Sequence, residues 1–324
     1  MSSGTGFQVI MTSPRLAEPA VAVLEQVGCT IHYMAPYPTA QAVEALTREV
    51  QAHAILTRQG PVTAAAMDAS ARLRIVARHG VGVDDVDLDA ARARGIVVAR
   101  APGSNTQAVA EHTMAMMLAM AKDFRALGEM IAAGTWRGGA TKVRDIRGMR
   151  LGLLGYGAIA QQVAKLAQPF GMEIMALTRP GTAIRPAGKV TQAPDLATLL
   201  GHSDVLSVHC PYTPETHHII NAAAFSAMPK GSYLVNTARG GIVDEAALVV
   251  ALDTGHIGGA ALDVFEVEPP PLHYALRRHP RVLATPHVSG VTEASLVNMG
   301  LMAAECIAAC LTDHAIPPER VVVG

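Results

Sequence analysis

Short apolar runs alternate with helical patterns in two series along this chain of 324 residues. In the first series, runs at 7–11, 30–34, 54–57, 74–77 and 96–99 read as strands, and 14–27, 39–49, 63–69 and 88–94 read as the helices between them. In the second, strands are expected at 151–154, 173–177, 205–208, 232–235, 259–262 and 282–284, with helices at 158–168, 194–200, 222–227 and 244–254. Apolar runs of strand length, separated by helical patterns, predict parallel sheets with helices on both faces. The expected fold class is therefore α/β, with two doubly wound, Rossmann-like domains.

Between the series, Pro102-Gly103-Ser104 breaks the pattern, and one long helix is expected from near Asn105 to about Ala133. Its apolar residues Val109, Met114, Met117, Leu118 and Ala121 recur at spacings of three and four. Met114, Met116, Met117 and Met120 read as core or dimer-contact packing rather than as ligands. Trp136, the sole tryptophan, follows Gly134-Thr135 and is expected to anchor an interface or the helix end. A last helix over 291–313 and an extended tail at 321–323 are too short for a third domain, and they are expected to return to the first. The division is then 1–102 with 291–324 as one domain, the substrate domain, and 103–290 inserted into it. Two crossings predict a hinge, with a ligand in the cleft between domains.

Composition narrows the class of protein. Half the residues are apolar, enough for sizeable cores, and the net charge of −1 argues against nucleic acid or an acidic membrane as main partner. Cys29, Cys210, Cys306 and Cys310 have neither metal-ligand spacing nor a disulfide framework, so no metal is expected and a reducing compartment fits. Cys306 and Cys310 read as small core-filling residues on one helix. No signal-peptide pattern opens the sequence. The segment 112–121, read as the most apolar helix, is far shorter than the roughly 18 residues a membrane span needs. A cytoplasmic protein with no membrane contact is expected.

The densest chemistry lies in Leu151-Gly152-Leu153-Leu154-Gly155-Tyr156-Gly157-Ala158-Ile159-Ala160. A buried strand, a glycine turn and a helix follow one another, in the pattern G-x-G-x-x-A. Gly155 makes the turn, and Gly157 lets backbone N–H groups approach a pyrophosphate at a helix N-terminus, where the dipole favours negative charge. The inserted domain thus reads as dinucleotide-binding. About 20 residues on, where an acid usually holds the ribose hydroxyls, stand Thr178 and Arg179. Thr178 removes a charge that would repel a 2′-phosphate and Arg179 supplies one that pairs with it, so NADP is favoured over NAD. The plainer alternative is an exposed loop arginine with adenine stacked over it and NAD still bound.

Three further strand ends carry polar chemistry. Arg239 follows Val235-Asn236-Thr237-Ala238 and is followed by Gly240-Gly241; it reads as a bidentate grip on a carboxylate or, equally in isolation, as a surface arginine. Asp263 ends the next apolar strand, towards the nicotinamide side, and Glu268 lies in a loop bounded by proline. His287, in Thr285-Pro286-His287, is a candidate general acid/base, with a carboxylate partner to orient its ring. Arg239, Glu268 and His287 together, all past strand ends of one sheet, are hard to read as structural.

At these residues the sequence resembles the D-isomer-specific 2-hydroxyacid dehydrogenases, close to their phosphoglycerate dehydrogenase and hydroxypyruvate reductase branch. The resemblance spans nearly the whole chain. It runs through 78–87, Ala110-Glu111-His112, the Gly155 turn, His209-Cys210-Pro211, Pro214-Glu215-Thr216, 236–243, the loop 263–269 and Pro286-His287. It implies that Arg239 binds the substrate's carboxylate and keto oxygen, that His287 is the acid/base with Glu268 as partner, and that the backbone of Val81 and Gly82 meets the carboxylate. It implies cofactor contacts at Gly155, Gly157, Ala158, Ile159, Thr178, Arg179, Cys210, Thr237, Ala238 and Asp263. The implied reaction moves a hydride between NAD(P)H and a small 2-oxo or D-2-hydroxy acid of the glyoxylate, hydroxypyruvate or 3-phosphoglycerate type. A homodimer through the region of 105–133 is implied as well.

The chain departs from many members of the family at Thr178, where they have Asp. It also ends without the regulatory domain of some phosphoglycerate dehydrogenases, so serine feedback is not expected. A formate dehydrogenase of this fold has glutamine in place of Glu268; a phosphite dehydrogenase keeps a similar triad; an NAD-sensing corepressor of the same fold binds rather than turns over. Arg58, Arg74 and Arg78, near strand ends of the first domain, read either as a phosphate grip or as surface charges.

Overall fold

The computed structural model describes residues 6–136, 143–179, 181–182, 186 and 188–324. They form two compact units, Met1–Asn105 with Val291–Gly324, and Thr106–Gly290. The first unit holds strands β1 (Phe7–Met11), β2 (Cys29–Tyr33), β3 (Ala54–Thr57), β4 (Ile75–Arg78) and β5 (Val97–Ala99), and helices α1 (Glu18–Gln26), α2 (Ala40–Val50), α3 (Ala64–Asp68) and α4 (Leu88–Arg94). The five strands pair in parallel in the order β2-β1-β3-β4-β5, the flavodoxin-like doubly wound order. Thr39, Thr63 and Asp87 set three helix starts by accepting a first-turn N–H in their side chains. The first helix starts at Glu18 rather than at 14, with a proline in its first turn.

The chain returns to this unit with α12 (Glu293–Leu311) and β13 (Val321–Val323). The tail is more than extended: β13 pairs with β5, and it does so antiparallel, so this sheet is parallel except at that edge. The helix α12 corrects the reading of 112–121 as the most apolar helix. At 19 residues and a mean hydropathy of 1.6 it is long and apolar enough to cross a membrane, by length and composition alone. Half of it is buried in the unit, where Ala303, Ala304, Ile307 and Leu311 join the core with α1, β3 and β4, which is the setting of a core helix.

The second unit runs α5 (Thr106–Ala121), α6 (Phe124–Ala132), β6 (Arg150–Leu154), α7 (Ala158–Ala167), β7 (Glu173–Leu177), β8 (Val190–Gln192), α8 (Leu196–His202), β9 (Val205–Val208), α9 (Ala222–Ala227), β10 (Ser232–Asn236), α10 (Glu245–Asp253), β11 (Ile257–Leu262), α11 (Ala275–Arg278) and β12 (Val282–Ala284). Its strands are all parallel, in the order β8-β7-β6-β9-β10-β11-β12. Strand order reverses between β6 and β9, and in such sheets ligands bind past the carboxyl ends of the strands at that point. Apolar clusters fill both faces of the sheet.

The single helix expected over 105–133 is two helices. Asp123 stands at φ 50°, in the left-handed region, and its conformation ends one helix and starts the other. Met114, Met116 and Met117 on α5 are buried in the core, and Met120 packs against it. No residue of α6 is buried, and Phe124, Ile131 and the following Trp136 are exposed. The edge strand β8 and the four-residue α11 have no apolar run or period of their own, so the sequence pattern does not predict them.

Candidate active site

The glycine turn follows β6. Gly155 has φ +96°, and a Cβ there would stand 2.8 Å from the Cys210 nitrogen and 2.8 Å from the His209 carbonyl carbon. Both conformation and space demand glycine, because the ends of β6 and β9 touch at the reversal of strand order. Gly157 is different. It is the N-cap of α7, no side chain caps that helix, and nothing lies within 4 Å of where its Cβ would be. The protein's own packing does not require this glycine. The space left beside Gly157, at the N-terminus of α7, fits a pyrophosphate bound by first-turn N–H groups such as those of Ala158 and Ile159.

His209 and Cys210 lie beside this turn. Burial holds the His209 imidazole down to about 4, so the ring is neutral, and its Nε2 faces Ser207 Oγ at 2.8 Å. Burial pushes the Cys210 thiol up to about 11, which leaves it a packing group rather than a nucleophile. Past β7, Thr178 is half-buried and Arg179 exposed. Gln192 at the end of β8 donates to Thr178 Oγ1 at 3.1 Å. Pro180, the next residue, lies outside the described residues.

Asn236 shapes the turn after β10: its Oδ1 accepts from Ala238 N at 3.0 Å and its Nδ2 donates to the Arg239 carbonyl at 2.9 Å. Thr237 is buried, its hydroxyl 3.1 Å from that of Thr113 on α5. Arg239 is half-buried, and its Nη1 donates to the Ala238 carbonyl at 2.7 Å. Gly240 packs so closely on the peptide joining Phe265 to Glu266 that a Cβ would run into it.

His287 Nδ1 lies 2.6 Å from Glu268 Oε2, while Glu268 Oε1 accepts from Phe265 N at 3.0 Å. The carboxylate is thus held at one oxygen and presents the other to the ring. Ring nitrogen Nε2 lies on the far side, and the His287 side chain is 48% exposed, open to a ligand. Its backbone sits at φ 52°.

Asp263, read from the sequence as a cofactor contact on the nicotinamide side, stands just past the end of β11. It is fully buried, and its carboxylate accepts from Thr285 Oγ1 at 2.5 Å, Val288 N at 2.9 Å and Ser289 N at 2.8 Å. His112 on α5 reaches the same cluster, its Nε2 3.1 Å from Thr285 Oγ1. Glu245 and Tyr274 also escaped sequence reasoning. Glu245 is 5% exposed, in the first turn of α10; its Oε1 accepts from Glu266 N at 3.0 Å, and its Oε2 takes the Tyr274 hydroxyl. Burial pushes its carboxyl up to about 7, helped by Glu266 and Glu268 and opposed by the Glu266 N–H and by His218. The glutamate is visible in the sequence, but only the fold brings the loop 264–274 back onto it.

In the first unit, Val81 and Gly82 are half-buried in the loop after β4. Arg74 precedes β4, at the amino end of the strand, where it pairs with Asp313. Arg78 pairs with Asp85 at 2.6 Å and donates to the Arg58 carbonyl at 2.9 Å.

A glycine turn at the switch point of a parallel sheet, with an arginine and a histidine–glutamate pair past its strand ends, defines a dinucleotide-binding protein of the Rossmann class. The sequence profile of the D-isomer specific 2-hydroxyacid dehydrogenase NAD binding domain matches residues 114–289. The chain belongs to that family. It is 40% identical to the hydroxypyruvate reductase of Thermotoga maritima over 252 residues, 76% of this chain and 80% of the relative. It is 37% identical to the D-3-phosphoglycerate dehydrogenase of Archaeoglobus fulgidus over 302 residues, 93% of this chain but 56% of that protein, so it spans little more than half of that relative. It superimposes with a TM-score of 0.85 and 30% identity on the NADPH-dependent glyoxylate/hydroxypyruvate reductase of Sinorhizobium meliloti in complex with NADP and malonate, covering 98% of this chain and 97% of the other.

Proposed function

We propose that this protein is a D-2-hydroxyacid dehydrogenase that works as a reductase of small, unphosphorylated 2-oxo acids such as glyoxylate and hydroxypyruvate, with NADPH preferred to NADH. The contact that carries this reading is His287 Nδ1 on Glu268 Oε2 at 2.6 Å. A carboxylate on one ring nitrogen fixes the imidazole and leaves Nε2 to hand a proton to a keto oxygen. Arg239 grips the substrate carboxylate and stabilises negative charge as it develops on that oxygen. A bound nicotinamide nucleotide supplies the hydride. In the reverse direction His287 takes the hydroxyl proton, with Glu268 holding the ring. Formate has no such proton to move, so Glu268 speaks against formate as substrate.

Ala158 and Ile159 would offer the pyrophosphate their N–H groups, and Thr178 and Arg179 would meet the ribose. Gly155, Cys210, Thr237, Ala238 and Asp263 would complete the nucleotide site. The resemblance assigns the backbone of Val81 and Gly82 to the substrate's carboxylate, and that assignment is part of the proposal. Support for an unphosphorylated substrate comes from Arg74 and Arg78, both engaged in ion pairs with this chain's own aspartates. We also propose a homodimer, supported by the unburied apolar residues of α6, and a cytoplasmic setting, supported by four free cysteines.

The test is turnover with a panel of 2-oxo acids, followed by NADPH and NADH absorbance. Glyoxylate or hydroxypyruvate should give the highest kcat/KM. The absence of turnover with every 2-oxo acid, with nucleotide binding intact, would overturn the reading in favour of a binding protein.

A further inference from the structure

The loop that carries Glu268 has little backbone of its own to hold it. Pro269, Pro270 and Pro271 follow in sequence and none offers an N–H. Residues 266–269 and 271–273 are exposed. Yet Glu268 must keep one oxygen on Phe265 N and the other on His287 Nδ1. The loop is held at its two ends by one buried side chain. Glu245 takes the Glu266 N–H at the start of the loop with Oε1, and the Tyr274 hydroxyl at its end with Oε2. Tyr274 in turn sets its ring edge-on to Phe265, with centroids 6.4 Å apart and planes at 78°. Two lighter contacts assist, His218 Nε2 to Glu266 Oε1 at 2.9 Å and Arg277 Nη1 to the Pro270 carbonyl at 3.2 Å.

We infer that Glu245 is a positioning residue for proton transfer: its carboxylate clamps both ends of the 266–274 loop and so fixes the Glu268 carboxylate against the His287 ring. The inference rests on the proposed dehydrogenase reaction for its kinetic consequence, but not for its geometry. Consecutive amides explain the leverage. Phe265 N is held by Glu268 and Glu266 N by Glu245, so freeing the second peptide lets the first rotate and swings the oxygen that faces the ring. Among the described residues, Glu245 bonds to Glu266 N and the Tyr274 hydroxyl rather than to the ring, so it acts only through Glu268.

The experiment compares Glu245→Ala, Glu245→Gln, His287→Ala and the double variant Glu245→Ala/His287→Ala with the wild type. Melting curves and NADPH fluorescence first establish that each variant is folded and binds nucleotide. With hydroxypyruvate and NADPH, Glu245→Ala should lower kcat about tenfold to a hundredfold with little change in the KM for NADPH, since proton transfer by a positioned group contributes about 10²–10⁴-fold. Glu245→Gln should recover most of the loss, because its amide oxygen still accepts from Glu266 N and its NH₂ can donate to the tyrosine hydroxyl. The double variant should be no slower than His287→Ala alone, since both act on one step. In parallel, the His287 imidazole resonance in the unliganded protein should shift and broaden in Glu245→Ala and stay in place in Glu245→Gln, a readout that needs no turnover. A folded Glu245→Ala with wild-type kcat and an unmoved His287 resonance would overturn the role. So would a loss that multiplies in the double variant. A wild type inert on all 2-oxo acids, with the His287 resonance still moved by Glu245→Ala, would instead remove the proposed reaction and leave the clamp standing.

Discussion

The carbonyl oxygen of Asp263 accepts the backbone N–H of His287 at 2.8 Å, and the Asp263 carboxylate takes the next two N–H groups, those of Val288 and Ser289. One buried residue at the end of β11 thus holds the whole turn on which the histidine stands. The turn needs such a hold because His287 has a positive φ, a conformation that a residue with a side chain adopts at some cost. Asp263→Ala should therefore damage activity and stability together. The buried Ser289 N–H loses its acceptor, at about 1–3 kcal/mol, and the more exposed Val288 N–H loses its own at a smaller cost. Thermal melting should fall by several degrees and kcat by up to the His287→Ala factor; a variant with unchanged melting would show that water replaces the carboxylate.

His287→Ala removes the proposed proton donor without touching the glycine turn. Its kcat should drop by about 10²–10⁴-fold while NADPH affinity stays within a factor of a few. Fluorescence titration and steady-state kinetics on the same sample check both halves.

The proposed preference for NADPH rests on Thr178 and Arg179. A charge-assisted hydrogen bond from Arg179 to a 2′-phosphate is worth about 1.5–3 kcal/mol, and exposure of this arginine pulls the value to the lower end. The expected outcome is about tenfold higher kcat/KM with NADPH than with NADH, since 1.4 kcal/mol is one decade. Arg179→Ala should erase the difference, and Thr178→Asp should reverse it by placing a carboxylate beside the phosphate. An unchanged ratio in Arg179→Ala would make this arginine a bystander.

The elevated carboxyl of Glu245 has a consequence for stability. Its ordinary value is 4.5, and in the folded chain it stands at about 7. The folded state therefore binds the proton more tightly than the unfolded state. The resulting stability is fully present below about pH 4.5 and is lost as pH rises through 7, on the order of 3 kcal/mol in all. In Glu245→Gln this dependence should vanish. Urea unfolding at pH 5 and pH 8 measures it: the wild type should lose stability relative to Glu245→Gln across that interval, and parallel curves would refute the assignment.

Association is tested by light scattering. Phe124 and Ile131 on a helix with no buried residue, with Trp136 just beyond, should be covered in a dimer. A dimer mass at micromolar concentration is expected, and Phe124→Glu with Ile131→Glu should give the monomer.

Much of the site could be read along the sequence because its residues sit where strands stop. Gly155, Arg239 and His287 each follow an apolar run, and a parallel sheet puts all such ends on one side. Glu245 could not be found this way. In the first turn of α10 it looks like an ordinary acid at a helix N-terminus, and its partners lie 21 and 29 residues ahead, in a loop with no period. His112 is hidden for the same reason, since its partner Thr285 is 173 residues away. The break at Asp123 left no trace because the apolar spacing runs on through it, and a single left-handed residue changes direction without changing composition.

Gly240 ties these parts together in a way that limits how the protein can diverge. It follows the arginine directly, and its backbone rests on the Phe265–Glu266 peptide with no room for even a methyl group. The segment proposed to grip the acid and the segment proposed to steady the proton donor are therefore packed together as one piece at this point, with Glu245 supplying the acceptor for the Glu266 N–H. A descendant of this chain that acquires a taste for a larger or differently charged acid has to rewrite residues around that piece. The piece itself can be inherited or lost, but not adjusted by degrees.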